Sequence, residues 1–338
     1  MGAEGGVSTN PWKDHPVLIT GVTGFVGSNL AERLVGLGAK VIGIAKEDSL
    51  PGSNFLLLGL DKQVTVIPGR LEDFPLLEQT IRSYAVEIVY HLGAQAIVGI
   101  ANRSPLPTFK TNIEGTWNVL EACRSQNQIR AVVIASSDKA YGTQKNLPYR
   151  EEYPLLPQYP YDVSKACADL LARSYFLTYG LPIVITRFSN IYGPGDLNFS
   201  RIVPDIIRSV LQGKAPVLRS DGTPERDYLY VEDVVDLYLL LAERITQSRG
   251  EVFNAGHNRP VSVLQLVETL LLLANRPDLK PKIAGGGTPP GEIDRQWLDA
   301  TKAAQLLGWH PKVPLEEGLR RTLRWYADYP GPMEPVHP

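Results

Sequence analysis

The stretch "VLITGVTGFVGSNLAERLVGLG", residues 17–38, decides the fold. Its first four residues read as a short, mostly apolar strand. Gly21, Gly24 and Gly27 follow in G-x-x-G-x-x-G spacing. From Phe25 the apolar residues recur at helical spacing, and the run stops on Gly38. A glycine turn between strand and helix lets a backbone approach a pyrophosphate closely, and the helix N-terminus favours its negative charge. Taken alone, the same turn is also no more than a tight strand–helix connection. The rest of the chain must choose.

Outward from this unit, short apolar runs alternate with helical patterns. "KVIGIA" (40–45), "VTVI" (64–67), "EIVYHLG" (87–93), "AVVIASS" (131–137) and "LPIVITRF" (181–188) read as strands. "FPLLEQTIRSYA" (74–85), "TFKTNIEGTWNVLEACRS" (108–125) and "YDVSKACADLLARSYFLTYG" (161–180) read as the helices between them. Strands alternating with helices imply right-handed βαβ units and a parallel sheet. After residue 190 the rhythm breaks into Gly/Pro-rich loops and separate helices. The expected architecture is therefore α/β: a Rossmann-type doubly wound parallel sheet with a smaller, irregular C-terminal substrate-binding lobe. The expected organisation is a mobile tail over 1–14 and a dinucleotide-binding domain over 15–190, to which about 226–256 returns. The lobe is expected over 191–225 and 257–330.

Bulk composition excludes several classes. Of 338 residues, 43% are hydrophobic and 21% charged, and the net charge is −2, so nothing points to a nucleic-acid or anionic-membrane partner. Cys123 and Cys167 have no metal-ligand spacing, so no metal is expected, and so few cysteines suit a reducing, cytoplasmic setting. The N-terminus lacks the basic-then-apolar order of a signal peptide. The apolar run 263–274 is broken by Gln265 and Glu268, which suits a buried helix rather than a membrane span.

Two further stretches carry chemistry. In open parallel sheets ligands bind beyond the carboxyl ends of the strands. "SSDKAYG" (136–142) lies at such an end and crowds two hydroxyls, a carboxylate, an amine and a phenol together. "YDVSK" puts Tyr161 and Lys165 four apart, on one helix face. A cation beside a phenol favours the phenolate, which predicts a lowered Tyr161 pKa and a usable base. The second strand should end on an acid that binds the adenosine ribose. Here it ends in Ala45-Lys46, with Glu47 and Asp48 only afterwards. NAD is the expected cofactor, and Lys46, near where a 2′-phosphate would lie, keeps NADP as the alternative.

"TGVTGFVG", "YHLGAQ", "TNIEGT", "SSDKAYG", "PYDVSK", "RFSNIYGPGD" and "RDYLYVEDV" occur in the order found in extended short-chain dehydrogenase/reductases. The chain resembles the NAD-dependent nucleotide-sugar epimerases and dehydratases of that family over about residues 15–328. It looks most like the CDP-glucose 4,6-dehydratase branch. The resemblance implies that Gly21, Gly24, Phe25, Val26, Gly27, Leu71, Leu92, Gly93, Ala94, Tyr161 and Lys165 bind the cofactor. It implies that Ser137 and Tyr161 serve oxidation at C4 of a hexose. Asp138 would protonate the departing C6 hydroxyl and Lys139 would take the C5 proton. Burial would suit both roles, raising a carboxyl pKa and lowering that of an amine. Asn190, Arg201, Arg226 and Arg295 would contact the nucleotide-diphosphate sugar, with CDP-glucose first and GDP- and UDP-sugars next. A homodimer through helices 108–125 and 161–179 is the family's expectation. The alternatives are an epimerase, which needs no acid–base pair for removing water, and a non-catalytic NAD(P)-sensing regulator. One departure stands out: relatives carry Gly-Asp after the third strand, and this chain carries Gly69-Arg70.

Overall fold

The computed structural model describes residues 10–287, 293–329 and 331–333. Seven parallel strands form the central sheet: β1 (Pro16–Thr20), β2 (Lys40–Ala45), β3 (Thr65–Pro68), β4 (Ile88–His91), β5 (Ala131–Ala135), β6 (Ile183–Phe188) and β7 (Val252–Ala255). Their spatial order is 3-2-1-4-5-6-7, with the direction of winding reversing between β1 and β4. This is the doubly wound order whose crevice at the reversal binds dinucleotides. β7 comes from beyond residue 250 and adds to the edge at β6, in register Val252 with Ile185.

Eight of the longer helices are α1 (Phe25–Gly36), α2 (Phe74–Ser83), α3 (Gly115–Arg124), α4 (Pro160–Tyr179), α5 (Ile202–Leu211), α6 (Val231–Glu243), α7 (Val263–Leu273) and α8 (Leu315–Asp328). In α1, Gly27, Leu30, Ala31 and Leu34 are buried, one stripe at helical spacing, while Glu32 and Arg33 face outward. Gly38, at φ +80°, ends the helix as a left-handed residue should. α1 and α6 pack on one sheet face, and α2, α3 and α4 cover the other. With both faces covered, a strand can be buried along its whole length, as β6 is. A separate core forms the lobe, joining α5, α7 and α8 around Tyr192, Tyr228 and Tyr230.

Two expectations are corrected. The tail is not free up to residue 14: Trp12 is only 2% exposed, and its indole N–H donates to Glu243 Oε1 at 2.5 Å. Burial of a large aromatic surface holds it against α6; residues 1–9 lie outside the described residues. The helix expected over 108–125 is not a single α-helix either. A π-helical turn, Lys110–Glu114, interrupts it and re-aims Asn112. Such turns recur at functional sites.

Candidate active site

The glycine turn closes the reversal point. Gly21 has φ +70°, and a Cβ placed there would lie 2.7 Å from the Gly93 Cα. A Cβ on Gly27 would lie 2.2 Å from the Gly21 carbonyl oxygen. The turns after β1 and β4 therefore touch backbone to backbone, and α1 sits directly on the first. Gly24 caps α1 without a side chain, so no cap satisfies the amides of the first turn, at Phe25, Val26 and Gly27. That donor set and that close approach fit the diphosphate of a dinucleotide. Leu71 is buried beneath, in contact distance of Gly93 and Gly115, and its carbonyl accepts from Asn118. Lys46 is half-buried at the end of β2, and Glu47 and Asp48 are exposed in the following turn.

A hydrogen-bond chain fixes the turn after β4. Gly93 N–H donates to Thr20 Oγ1 at 3.0 Å, and Thr20 Oγ1 lies 2.8 Å from His91 Nδ1. His91 Nε2 lies 3.0 Å from Thr116 Oγ1, which donates to the Asn112 carbonyl. The Thr116 proton is committed to Asn112, so a neutral His91 ring donates from Nε2 and accepts at Nδ1 from Thr20. Burial, with Lys165 nearby, pushes the His91 pKa down to about 3. Asn112 accepts from Gln95 N–H and donates to the Gln95 carbonyl and to Ser164 Oγ, at 2.7, 3.1 and 2.9 Å. It thereby joins the turn after β4 to α4. Sequence reading missed Thr20, His91, Asn112 and Ser164; the motif "TNIEGT" held Asn112, but spacing alone gave it no role.

α4 starts at Pro160 and ends at Gly180, with φ +68°. Proline at the first turn and a left-handed glycine at the C-terminus are the expected boundary signals. Tyr161 and Lys165 share its inward face. The Lys165 ammonium donates to the Ala135 carbonyl at the end of β5, 2.8 Å away, and burial lowers its pKa to about 8. The expected lowering of the Tyr161 pKa by Lys165 is not what the structure shows. Burial pushes the phenol up to about 12, and the opposing influences are Arg201 and a hydrogen bond with Ser137. With its charge turned to the β5 carbonyl, Lys165 does not govern the phenol.

Ser137, Asp138 and Lys139 follow β5. Ser137 caps the short helix Asp138–Tyr141, accepting from Lys139 N–H at 3.2 Å, and its hydroxyl donates to Asp138 Oδ1 at 3.2 Å. Asp138 is buried, and burial raises its pKa against the pull of Lys139, Ser137 and Arg226. Its charge is in turn felt by Tyr161. The fold thus brings Ser137, Asp138, Tyr161 and Arg201 into one neighbourhood, with Lys139 beside Asp138 and half-buried.

The remaining substrate candidates are spread over the lobe. Asn190 begins the short strand Asn190–Tyr192, paired with Tyr228–Tyr230. Arg201 ion-pairs with Asp196 at 3.2 Å, and the Asp196 carbonyl accepts from the Tyr326 hydroxyl. Arg226 is buried and donates to the carbonyls of Glu225 and Asp294, at 2.9 Å each, and to that of Ile293. Arg295 pairs with Glu225 at 2.7 Å and stacks over Trp297. Arg226 and Arg295 are thus engaged by the protein itself, through backbone carbonyls and a surface carboxylate.

A doubly wound sheet with a glycine turn at its reversal point, and Tyr-x-x-x-Lys beside a serine at the next strand end, defines an extended short-chain dehydrogenase/reductase. Within that class, the chain belongs to the GDP-mannose 4,6 dehydratase family, which matches residues 18–322. It is similar to the CDP-glucose 4,6-dehydratase of Salmonella typhimurium, 31% identical over 336 residues that cover 95% of this chain and 92% of that protein. Among solved structures it resembles a UDP-glucose 4-epimerase from Thermotoga maritima (TM-score 0.85, 31% identity, 92% of this chain and 98% of that one). It also resembles the dTDP-glucose 4,6-dehydratase of Bacillus anthracis in complex with NAD (TM-score 0.81, 28% identity, 93% and 96%).

Proposed function

We propose that this protein is an NAD-dependent nucleoside-diphosphate-hexose 4,6-dehydratase, with CDP-glucose as its leading substrate and GDP- or UDP-sugars next. The buried acid carries the reading. An Asp138 whose carboxyl is pushed toward the protonated form, beside a lysine and within the field of Tyr161, is what removal of a hydroxyl requires. An epimerase on the same scaffold has no use for it.

The amides of Phe25, Val26 and Gly27, with Gly21 and Gly24, would hold the NAD diphosphate. Leu71, Leu92, Gly93 and Ala94 would line its path, and Tyr161 and Lys165 would face its nicotinamide. When bound, NAD would supply a reversible hydride acceptor for oxidation at hexose C4 and reduction at C6, and the net reaction would be loss of one water. The chain's own residues move the protons. Ser137 and Tyr161 orient the C4 hydroxyl, and Tyr161 takes its proton. Because the phenol is held near 12, the positive charges about it must favour the phenolate when the site is filled. Arg201 contributes one. The 4-keto group acidifies the C5 proton, which Lys139 takes and gives back to C5 when C6 is reduced. Asp138 gives its proton to the C6 hydroxyl, which leaves as water. Arg201, Asn190, Arg226 and Arg295 make up the side facing the nucleotide diphosphate.

We further propose a homodimer through the helices over 108–125 and 161–179, where Trp117, Leu170, Leu177 and Tyr179 are exposed. A cytoplasmic setting fits the low cysteine count. No helix among the described residues is long and apolar enough to cross a membrane.

Incubation with NAD and each of CDP-glucose, UDP-glucose, dTDP-glucose, GDP-mannose and UDP-N-acetylglucosamine tests the function by mass spectrometry. Loss of one water from a substrate is the expected result. Isomerisation without mass change makes the protein an epimerase, and no turnover at all returns the sensing regulator.

A further inference from the structure

Asp138 is held from a direction that its own sequence neighbourhood does not suggest. Gln296, only 2% exposed, donates from Nε2 to the Asp138 carbonyl oxygen at 2.9 Å. It reaches the turn after β5 from 158 residues further along the chain. Gln296 lies in the short strand Arg295–Gln296, which pairs in parallel with Glu225–Arg226, Gln296 opposite Arg226. Strand Val261–Ser262 closes the other side of Glu225–Arg226. The Arg226 guanidinium binds the carbonyls of Ile293 and Asp294 just before it. On the opposite edge, Tyr149 N–H donates to the Trp297 carbonyl and Asp299 N–H to the Tyr149 carbonyl, both at 2.9 Å. Residues 293–299 are therefore sewn to the lobe along one edge and to the loop after Tyr141 along the other. Between the two, one side-chain amide touches the acid turn.

Packing alone does not call for glutamine there. A methionine or leucine would fill the space without bringing a polar group that needs partners. The amide matters because the carbonyl it holds belongs to Asp138, the first residue of a short helix whose next backbone amide is held by Ser137. Holding that peptide from both sides fixes the Cα that carries the carboxyl.

We propose that Gln296 is a positioning residue for the dehydration half of the reaction, tying the backbone of Asp138 to the paired lobe strands that carry Arg226 and Arg295. Seating of a nucleotide-diphosphate sugar against those strands then sets the acid in place for C6. The inference rests on the dehydratase reading for its chemistry, but the coupling of lobe to turn can be measured without turnover.

The test compares wild type with Gln296→Met, which keeps the volume and removes the donor, and with the isosteric Gln296→Glu. Hydrogen–deuterium exchange over residues 137–142 is followed with and without the nucleotide sugar that is turned over, or with CDP-glucose where none is. Binding is expected to slow exchange at 137–142 in wild type and to lose about tenfold of that protection in Gln296→Met, the scale of one buried hydrogen bond. Under turnover, kcat for water loss should fall about tenfold with KM nearly unchanged, and part of the substrate should leave as an undehydrated 4-keto nucleotide sugar, with an equal amount of NAD left reduced. Gln296→Glu, which adds a carboxylate near Asp138, should move the acid-dependent limb of the pH profile upward. A merely structural role would lower the melting point and move none of these readouts. Equal protection in wild type and Gln296→Met, or none in wild type, overturns the coupling. If the wild type removes no water from any substrate, the dehydratase reading fails and the exchange data alone decide the coupling.

Discussion

Loss of the Arg187 guanidinium tests how the turn after β5 is supported. Arg187 on β6 is 1% exposed, and Asp169 on α4 is fully buried. They pair through two parallel hydrogen bonds, Nε and Nη2 to the two carboxylate oxygens, at 2.8 and 3.0 Å. The guanidinium also lies 4.5 Å from the centroid of the Tyr141 ring and donates to the Glu151 carbonyl. Tyr141 closes the helix that begins with Asp138, and its hydroxyl donates to Asn254 Oδ1 on β7 at 2.8 Å. Arg187→Met leaves a carboxylate with no exposure and no cation. Removing one partner of such a pair costs about 3–5 kcal/mol, out of a total that is about 5–15 kcal/mol for a typical domain. With an m-value of about 3 kcal/mol/M, 4 kcal/mol moves the urea midpoint down by about 1.3 M. Asp169→Leu alone strands the guanidinium instead and should lose a similar amount. The double variant Arg187→Met/Asp169→Leu removes both charges and should recover most of it, because neither group is left buried and unpaired. Equilibrium urea unfolding, followed by tryptophan fluorescence, reads all four corners of the cycle. A single-variant loss under about 1 kcal/mol would contradict the burial argument. A double variant no better than the sum of the singles would show that the pair is not what links α4 to β6.

Tyr161→Phe should suppress oxidation at C4 by about 100-fold or more, whereas Lys139→Ala should spare that oxidation and stop exchange of the C5 proton in deuterated water. Exchange at the wild-type rate would remove Lys139 as the base. Gly21→Ala forces a Cβ to within 2.7 Å of the Gly93 backbone from a left-handed φ; calorimetric titration should show NAD affinity down by at least about tenfold, with about 1–2 kcal/mol of stability lost. Asp227 is buried, and burial lifts its pKa to about 6 against several backbone N–H bonds. A carboxyl raised in the folded state contributes stability that is fully present below its unfolded value near 4 and lost as pH rises through about 6. The unfolding free energy from urea titrations should therefore carry a component that falls over that window, by about 3 kcal/mol at most, and Asp227→Asn should abolish it.

The sheet was legible because its strands and helices announce themselves locally. β1, the glycine turn and α1 carry period, breaker and cap within 22 residues, and Tyr161 and Lys165 need only helical spacing to share a face. The π-helical turn at Lys110–Glu114 was not legible, since its residues keep a helical pattern and only the bonds of Asn112 to Gln95 and Ser164 re-aim it. Trp12 was read as tail because nothing near it in sequence offers the surface of α6 on which it is buried.

What the sequence by itself determined is the set of chemical groups and their local order: a glycine turn between strand and helix, a Tyr-x-x-x-Lys face, and Ser137, Asp138 and Lys139 at a strand end. Only the tertiary structure decided the state of those groups. Burial, and not the neighbouring lysine, sets the Tyr161 phenol; Lys165 turns to the Ala135 carbonyl; Arg226 is committed to backbone; and Gln296, far away in sequence, grips Asp138. The reason is physical. Periodicity and caps act over a few residues. Desolvation, charge and hydrogen-bond partners depend on what the rest of the chain brings to within a few ångströms.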